Sequence, residues 1–185
     1  TAINFSSPNS GNGGSNVVFN WVNNTPSIGL AASGTGNIGS FTATNVTTAP
    51  VVATITVTPV YTNAGVTCNG TAITFTITVN PTATVNAVAN QSLCNNTPTA
   101  AVNFSTIYTG GSVVYNWVNS APSIGLTATG SGNIASFIAT NATNAPVTAT
   151  ITVTPTFTNG SVSCVGTSST FTIAVNPTGN VNAIS

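Results

Sequence analysis

The chain has 185 residues, of which 41% are apolar, 36 are Thr, 26 Asn and 19 Ser, and none is Lys, Arg, Asp, Glu or His. An ordinary soluble domain carries about a quarter charged residues, so this absence removes whole classes of chemistry together. Three Tyr and three Cys are the only titratable side chains left, so acid–base catalysis, Cys/His or carboxylate metal sites, cofactor binding and cationic contacts to nucleic acid are not expected.

The chain opens Thr1-Ala2-Ile3-Asn4, contains no Met and has no basic or apolar leader, which reads as a processed chain or a window on a longer one. No apolar run approaches the ~18 residues of a membrane-crossing helix, so membrane insertion is not expected. A first motif, Ile3-Asn4-Phe5-Ser6, returns as Val102-Asn103-Phe104-Ser105 at an offset of 99. From Val17 the correspondence becomes continuous: residues 17–81 align with 113–177 at an offset of 96, and 45 of these 65 pairs are identical. The landmarks are Asn20-Trp21-Val22-Asn23 with Asn116-Trp117-Val118-Asn119, and Pro26-Ser27-Ile28-Gly29-Leu30 with Pro122-Ser123-Ile124-Gly125-Leu126. Residues 90–99, including Cys94, have no counterpart in the first copy, while Val181-Asn182-Ala183-Ile184 repeats Val85-Asn86-Ala87-Val88. The expected organisation is a first β-sandwich repeat over 1–81 that lacks its opening strand, a second over 82–177, and in 178–185 the start of a third repeat or a donor strand. Val181, Ala183 and Ile184 are the candidate residues of an inter-repeat strand.

In the second copy the strands expected in chain order are 84–89, 101–105, 113–119 with the Trp, 134–140, 147–154 and 170–176, with short pieces near Thr127 completing about seven. Pro146 opens one strand, Pro155 and Pro177 close theirs, and Asn159-Gly160 marks a turn. Alternation sends Val147, Ala149, Ile151 and Val153 inward with Phe171, Ile173 and Val175, and turns Thr148, Thr150, Thr152, Thr154, Thr170 and Thr172 outward. About seven short strands in roughly 96 residues, with a Trp on the third, predict an all-β fold of tandem immunoglobulin-like sandwiches. Trp21 and Trp117 are then core residues rather than carbohydrate-stacking platforms. The outward Thr rows are ordinary half-exposed strands rather than an ice-binding face. Asn-x-Ser/Thr sequons occur repeatedly, for example Asn45-Val46-Thr47 and Asn141-Ala142-Thr143, at close to the frequency the composition gives, and leave N-glycosylation open.

Cysteines beside turns in a β-rich chain point to an oxidising, extracellular setting. The economical pairing is Cys94 with Cys164 inside one unit, which leaves Cys68 for an upstream cysteine. A Cys68–Cys94 bond is also self-consistent, but would have to join neighbouring domains.

The run from Trp117 through Pro122-Ser123-Ile124-Gly125-Leu126, Gly132-Asn133-Ile134 and Ala149-Thr150-Ile151-Thr152-Val153-Thr154-Pro155 to Asn176-Pro177 resembles the PKD-like, immunoglobulin-like repeats of long secreted and cell-surface proteins of Bacteroidota. The resemblance covers both units. It implies a sandwich array, export across the outer membrane and a role in adhesion or extracellular matrix. It departs from better-known PKD domains at their Trp-Asp-Phe-Gly-Asp type motif, here Trp117-Val118-Asn119, so no acidic ion site carries over.

Natural β proteins protect strand edges with charge, and this chain keeps only Pro, Gly and Asn for that purpose. The function expected is a non-enzymatic extracellular filament, stalk or fibre whose partners are copies of itself. A module binding surface glycans is the alternative. If the chain is a processed subunit, residues 179–185 supply the strand missing from the next subunit. If it is a window on a polyprotein the same geometry is covalent, which the resemblance to very long repeat proteins favours.

Overall fold

The structure is a computed structural model that describes residues 1–9, 16–179 and 181. The described residues form an all-β chain without an α-helix, divided into two compact units, Thr1–Pro81 and Thr82–Ser185. Unit one carries β1 (Asn16–Asn23), β2 (Ser33–Thr35), β3 (Val51–Asn63), β4 (Val66–Asn69) and β5 (Ile73–Val79). Unit two carries β6 (Gln91–Cys94), β7 (Ser112–Asn119), β8 (Thr129–Ser131), β9 (Val147–Asn159), β10 (Val162–Val165) and β11 (Ser169–Asn176).

Each unit is built on one long strand. In unit two, β7 pairs along one side of β9, while the other side is shared by β11, opposite Val147–Val153, and β10, opposite Thr156–Asn159. Pro155 lies at the junction of those two partners and inside β9, so it does not close the strand as expected. The N–H and C=O of one residue leave a strand on the same side, and the Pro155 carbonyl there accepts from Gly166 N at 2.7 Å. The missing N–H therefore falls where no ladder strand needs it. Pro59 repeats this inside β3, accepting from Gly70 N at 2.8 Å.

A thinner layer covers the inner face of the sheet, making the unit sandwich-like. In unit two it consists of extended segments joined by the bridges Val102↔Ile134 and Pro98↔Ile138, with Thr84↔Thr167 tying the entering chain to the main sheet. The expected strands 84–89 and 101–105 thus exist as segments with one isolated bridge each, and 134–140 as a segment with two, at Ile134 and Ile138. Strand β6, within a stretch that has no counterpart in unit one, pairs parallel to β11.

The inward residues close a core around Trp117, Ile124, Ile151, Val153, Phe171, Ile173 and Val175 in unit two, and around Trp21, Ile28, Ile55 and Val57 in unit one. A fully buried aliphatic side chain of this kind contributes about 1.5–3 kcal/mol. The repeated Pro-Ser-Ile-Gly-Leu motif is a plug for this core. Pro122–Ile124 forms one 3-10 turn, Gly125 leaves it at φ 95°, and Ile124 is fully buried. The buried Asn119 holds the plug, donating from Nδ2 to Leu126 O at 3.0 Å and accepting at Oδ1 from Ala121 N. Asn23 does the same for Ile28 in unit one.

The indoles differ in one respect. Trp117 Nε1 donates to Gly132 O at 3.1 Å, whereas Trp21 Nε1 is buried without an acceptor. Both indoles lie flat over a glycine of the neighbouring short strand, Gly130 and Gly34, whose hypothetical Cβ would overlap ring atoms. Gly130→Ala is therefore expected to destabilise unit two by about 1–3 kcal/mol, read as a lowered denaturation midpoint. Gly39→Ala, where an added Cβ meets nothing within 4 Å, is expected to leave the midpoint unchanged.

Candidate functional site

Of the thiols and phenols, Cys68 and Tyr61 stand opposite one another on β4 and β3. Among the described residues no three His, Cys, Asp or Glu approach one another closely enough to hold a metal, and no helix is long and apolar enough to cross a membrane. Partial burial pushes the Tyr115 hydroxyl above its usual range through desolvation. Its ring is tilted against Phe104 at 5.6 Å, which makes it part of the packing around the core.

The three cysteines are free, and the expected Cys94–Cys164 disulfide is not made. The topology gives the reason. Cys94 stands opposite Asn176 at the end of β11 that meets Val147, whereas Cys164 stands opposite Phe157 near the far end of β9. Ten residues of strand at about 3.3 Å each separate those levels by about 33 Å, against less than about 7 Å between the Cα atoms of a disulfide. Cys68, opposite Tyr61 on β3, occupies the matching position in unit one.

The asparagines of the two repeat-matched sequons, Asn45 and Asn141, are structural. Asn141 is buried, and its Nδ2 donates to Ala145 O at 2.8 Å and Val175 O at 2.7 Å, while Oδ1 accepts from Thr143 N and Oγ1. Asn45 makes the same set of bonds in unit one. Both amide hydrogens are used, so neither nitrogen is open to a glycan in the folded chain. Trp21 and Trp117 are likewise buried and offer no stacking platform.

What remains are surfaces. On the outer face of the unit-two sheet, exposed Val114 and Val118 of β7 stand beside Thr156 and Thr152 of β9, and Val18 and Val22 stand beside Val60 and Thr56 in unit one. These outward valines were not among the outward residues expected from β9 and β11, although the same period of 2 along β7 places Val114, Asn116 and Val118 on one face.

The second surface is a cleft of about 400 Å³ in unit one, lined by Asn4, Phe5, Ser6, Phe19, Val57, Pro59, Thr71 and Ile73 among others. The repeat supplies its control. In unit two the residues matching this lining hold the entering chain: Thr167 N donates to Ala83 O at 3.0 Å, Asn86 N and Nδ2 donate to Ser105 O and Oγ at 2.9 Å each, and Val85 joins the core with Phe104 and Phe171. Without that entering chain, and without a strand beside β5 such as β6 provides beside β11 at Ile173–Asn176, Phe75, Ile77 and Val79 of β5 are only half-buried, whereas the identical Phe171, Ile173 and Val175 of β11 are buried. Of the candidate inter-repeat residues, Val181 is 94% exposed, and Ala183 and Ile184 lie outside the described residues.

Compared with known proteins, the chain matches no protein-family model and no curated protein.

Two measurements check this description. Non-reducing peptide mapping is expected to find no Cys94–Cys164 cross-link in native protein. Stability is expected to stay level from about pH 4 to 8, since the chain has no Asp, Glu, His, Lys or Arg whose charge could change there. The raised Tyr115 pKa contributes stability that is present below about pH 10 and lost as pH rises through the folded value, so denaturation midpoints should fall only in strong alkali.

Proposed function

We propose that the chain is a non-enzymatic structural repeat of an extracellular filament, stalk or cell-surface fibre, self-associating through uncharged surfaces of tandem immunoglobulin-like, PKD-like sandwiches. The observation that carries this reading is the coexistence of zero charge with exposed Val/Thr sheet faces and an uncovered apolar edge. Isolated soluble domains keep such faces apart by like-charge repulsion and by Lys on edges. Here no electrostatic term opposes contact between identical copies, and the remaining contacts are van der Waals packing and neutral hydrogen bonds. A glycan-binding role finds no exposed Trp to stack a sugar ring. An enzymatic role would have to work with thiols and phenols that have no charged partner to activate them, the facing Cys68 and Tyr61 included. The resemblance to long cell-surface repeat proteins supports the extracellular location, and the shortage of titratable groups suits a material exposed to changing pH.

Negative-stain microscopy and light scattering of the native protein test the reading. Elongated assemblies with a regular axial repeat of one or two domains are expected at micromolar concentration, and isolated particles would overturn it. Their extent should barely change between about 10 mM and 1 M NaCl, because there are no charges to screen. Sulfate should favour assembly modestly through its exclusion from apolar surface.

A further inference from the structure

We propose that the unit-one cleft is the seat of a strand donated by a second copy of this chain, the segment 178–184, which enters as residues 82–88 enter unit two. The inference rests on the self-association reading and gives it a specific joint.

The internal repeat defines both halves of that joint. On the donor side, Val181-Asn182-Ala183-Ile184 differs from Val85-Asn86-Ala87-Val88 only in the last aliphatic residue. Val85 is 9% exposed in the core of unit two, whereas Val181, its counterpart, is 94% exposed. An aliphatic side chain left in water beside a sequence that buries the same residue elsewhere is an unmet packing contact.

On the acceptor side, the groups that hold 82–88 are duplicated around the cleft. Ser105, which accepts from the Asn86 main chain and side chain, corresponds to Ser6 on the lining. Thr167, which donates to Ala83 O, corresponds to Thr71. The orientation of the Ser6 segment is also kept: Phe5 N donates to Asn37 Oδ1 at 2.8 Å, as Phe104 N donates to Asn133 Oδ1 at 2.9 Å. A donated segment in this register brings Val181 to the cleft wall that carries Phe5, as Val85 shares its core with Phe104 and Phe171. Asn182 then meets Ser6, with neutral hydrogen bonds throughout. The mode is β-strand addition to a sheet edge, in which main-chain bonds give affinity and alternate side chains give register.

The test uses the full chain, a Val181→Asp variant, a chain shortened by residues 178–185, and a synthetic peptide of that sequence. Val181→Asp puts a charge where an aliphatic group is buried, at a position exposed in the free chain, so folding should be unaffected. Its association, measured by sedimentation, is expected to weaken by at least about ten- to a hundredfold, the loss that accompanies removal of one buried valine. The shortened chain should not associate by this route, and it should bind the fluorescent peptide with 1:1 stoichiometry. A Val181→Asp peptide should bind at least tenfold more weakly. If the full chain associates and both altered chains associate equally well, the donor-strand joint is overturned while self-association stands. If the full chain stays monomeric at all concentrations, the broader reading fails. A peptide that does not bind the shortened chain overturns the joint in either case, as does a concentration-independent contact between the tail and its own chain.

Discussion

With no ion pair available, loops and strand ends in this protein have to be fixed by neutral hydrogen bonds, and the Asn side chain carries much of that load. One primary amide supplies two donors and an acceptor in fixed geometry, enough to span a turn and reach a neighbouring strand. Asn141 joins its own loop at Ala145 to the end of β11 at Val175, and Asn119 ties the Ile124 plug to the end of β7. A hydrogen bond of this kind nets about 1 kcal/mol, but leaving such a buried group without a partner costs about 1–3 kcal/mol. The network therefore specifies the fold more by the cost of breaking it than by what it adds. It is also indifferent to salt and to ordinary pH, because nothing in it is screened or titrated.

The same amides take over a task usually given to charge. Asn90 Oδ1 accepts from Thr172 N at 2.8 Å on the edge of β11, and just beyond it β6 pairs with that edge. Gln91 imitates a strand residue, accepting from Ala100 N and donating to Ala100 O. On the other copy Asn24 Oδ1 accepts from Thr54 N, where Ser120 Oγ accepts from Thr150 N in unit two. These groups satisfy edge donors without repelling a like neighbour. Lysine would discourage edge-to-edge pairing, whereas an amide only occupies selected positions. An edge guarded in this way is closed where a side chain reaches it and open elsewhere.

Much of the sheet was legible in the sequence because its signal is local. The Thr/Ile/Val alternation of 147–154 and 170–176 directly encodes a half-buried strand, and Ala149, Ile151, Val153, Phe171, Ile173 and Val175 are buried as the pattern requires. What was not legible depended on pairing between distant segments. Pro155 reads as a stop on its own, yet it is tolerated inside β9 because two different partner strands meet opposite it. The cysteine pairing failed for a related reason: spacing along the chain says nothing about which end of a sheet a residue occupies, and Cys94 and Cys164 occupy opposite ends. The sequons looked like a consequence of composition until Asn45 and Asn141 were seen to make matching bonds in both units.

The duplicated sequence also separates what a side chain prefers from what its surroundings allow. Phe75, Ile77 and Val79 are identical in type to Phe171, Ile173 and Val175, so their greater exposure owes nothing to their own chemistry. It follows from the absence, among the described residues of unit one, of a segment like 82–94. At the rim Ile73, 61% exposed, stands in the position that Ser169 takes in unit two. Phe5 keeps its tilted contacts with Phe19 and Phe75, as Phe104 does with Tyr115 and Phe171, so the wall of the cleft is already arranged in the form it has when filled. A preformed apolar wall lowers the ordering cost of receiving a strand, and it belongs to a surface whose stable state is a covered one.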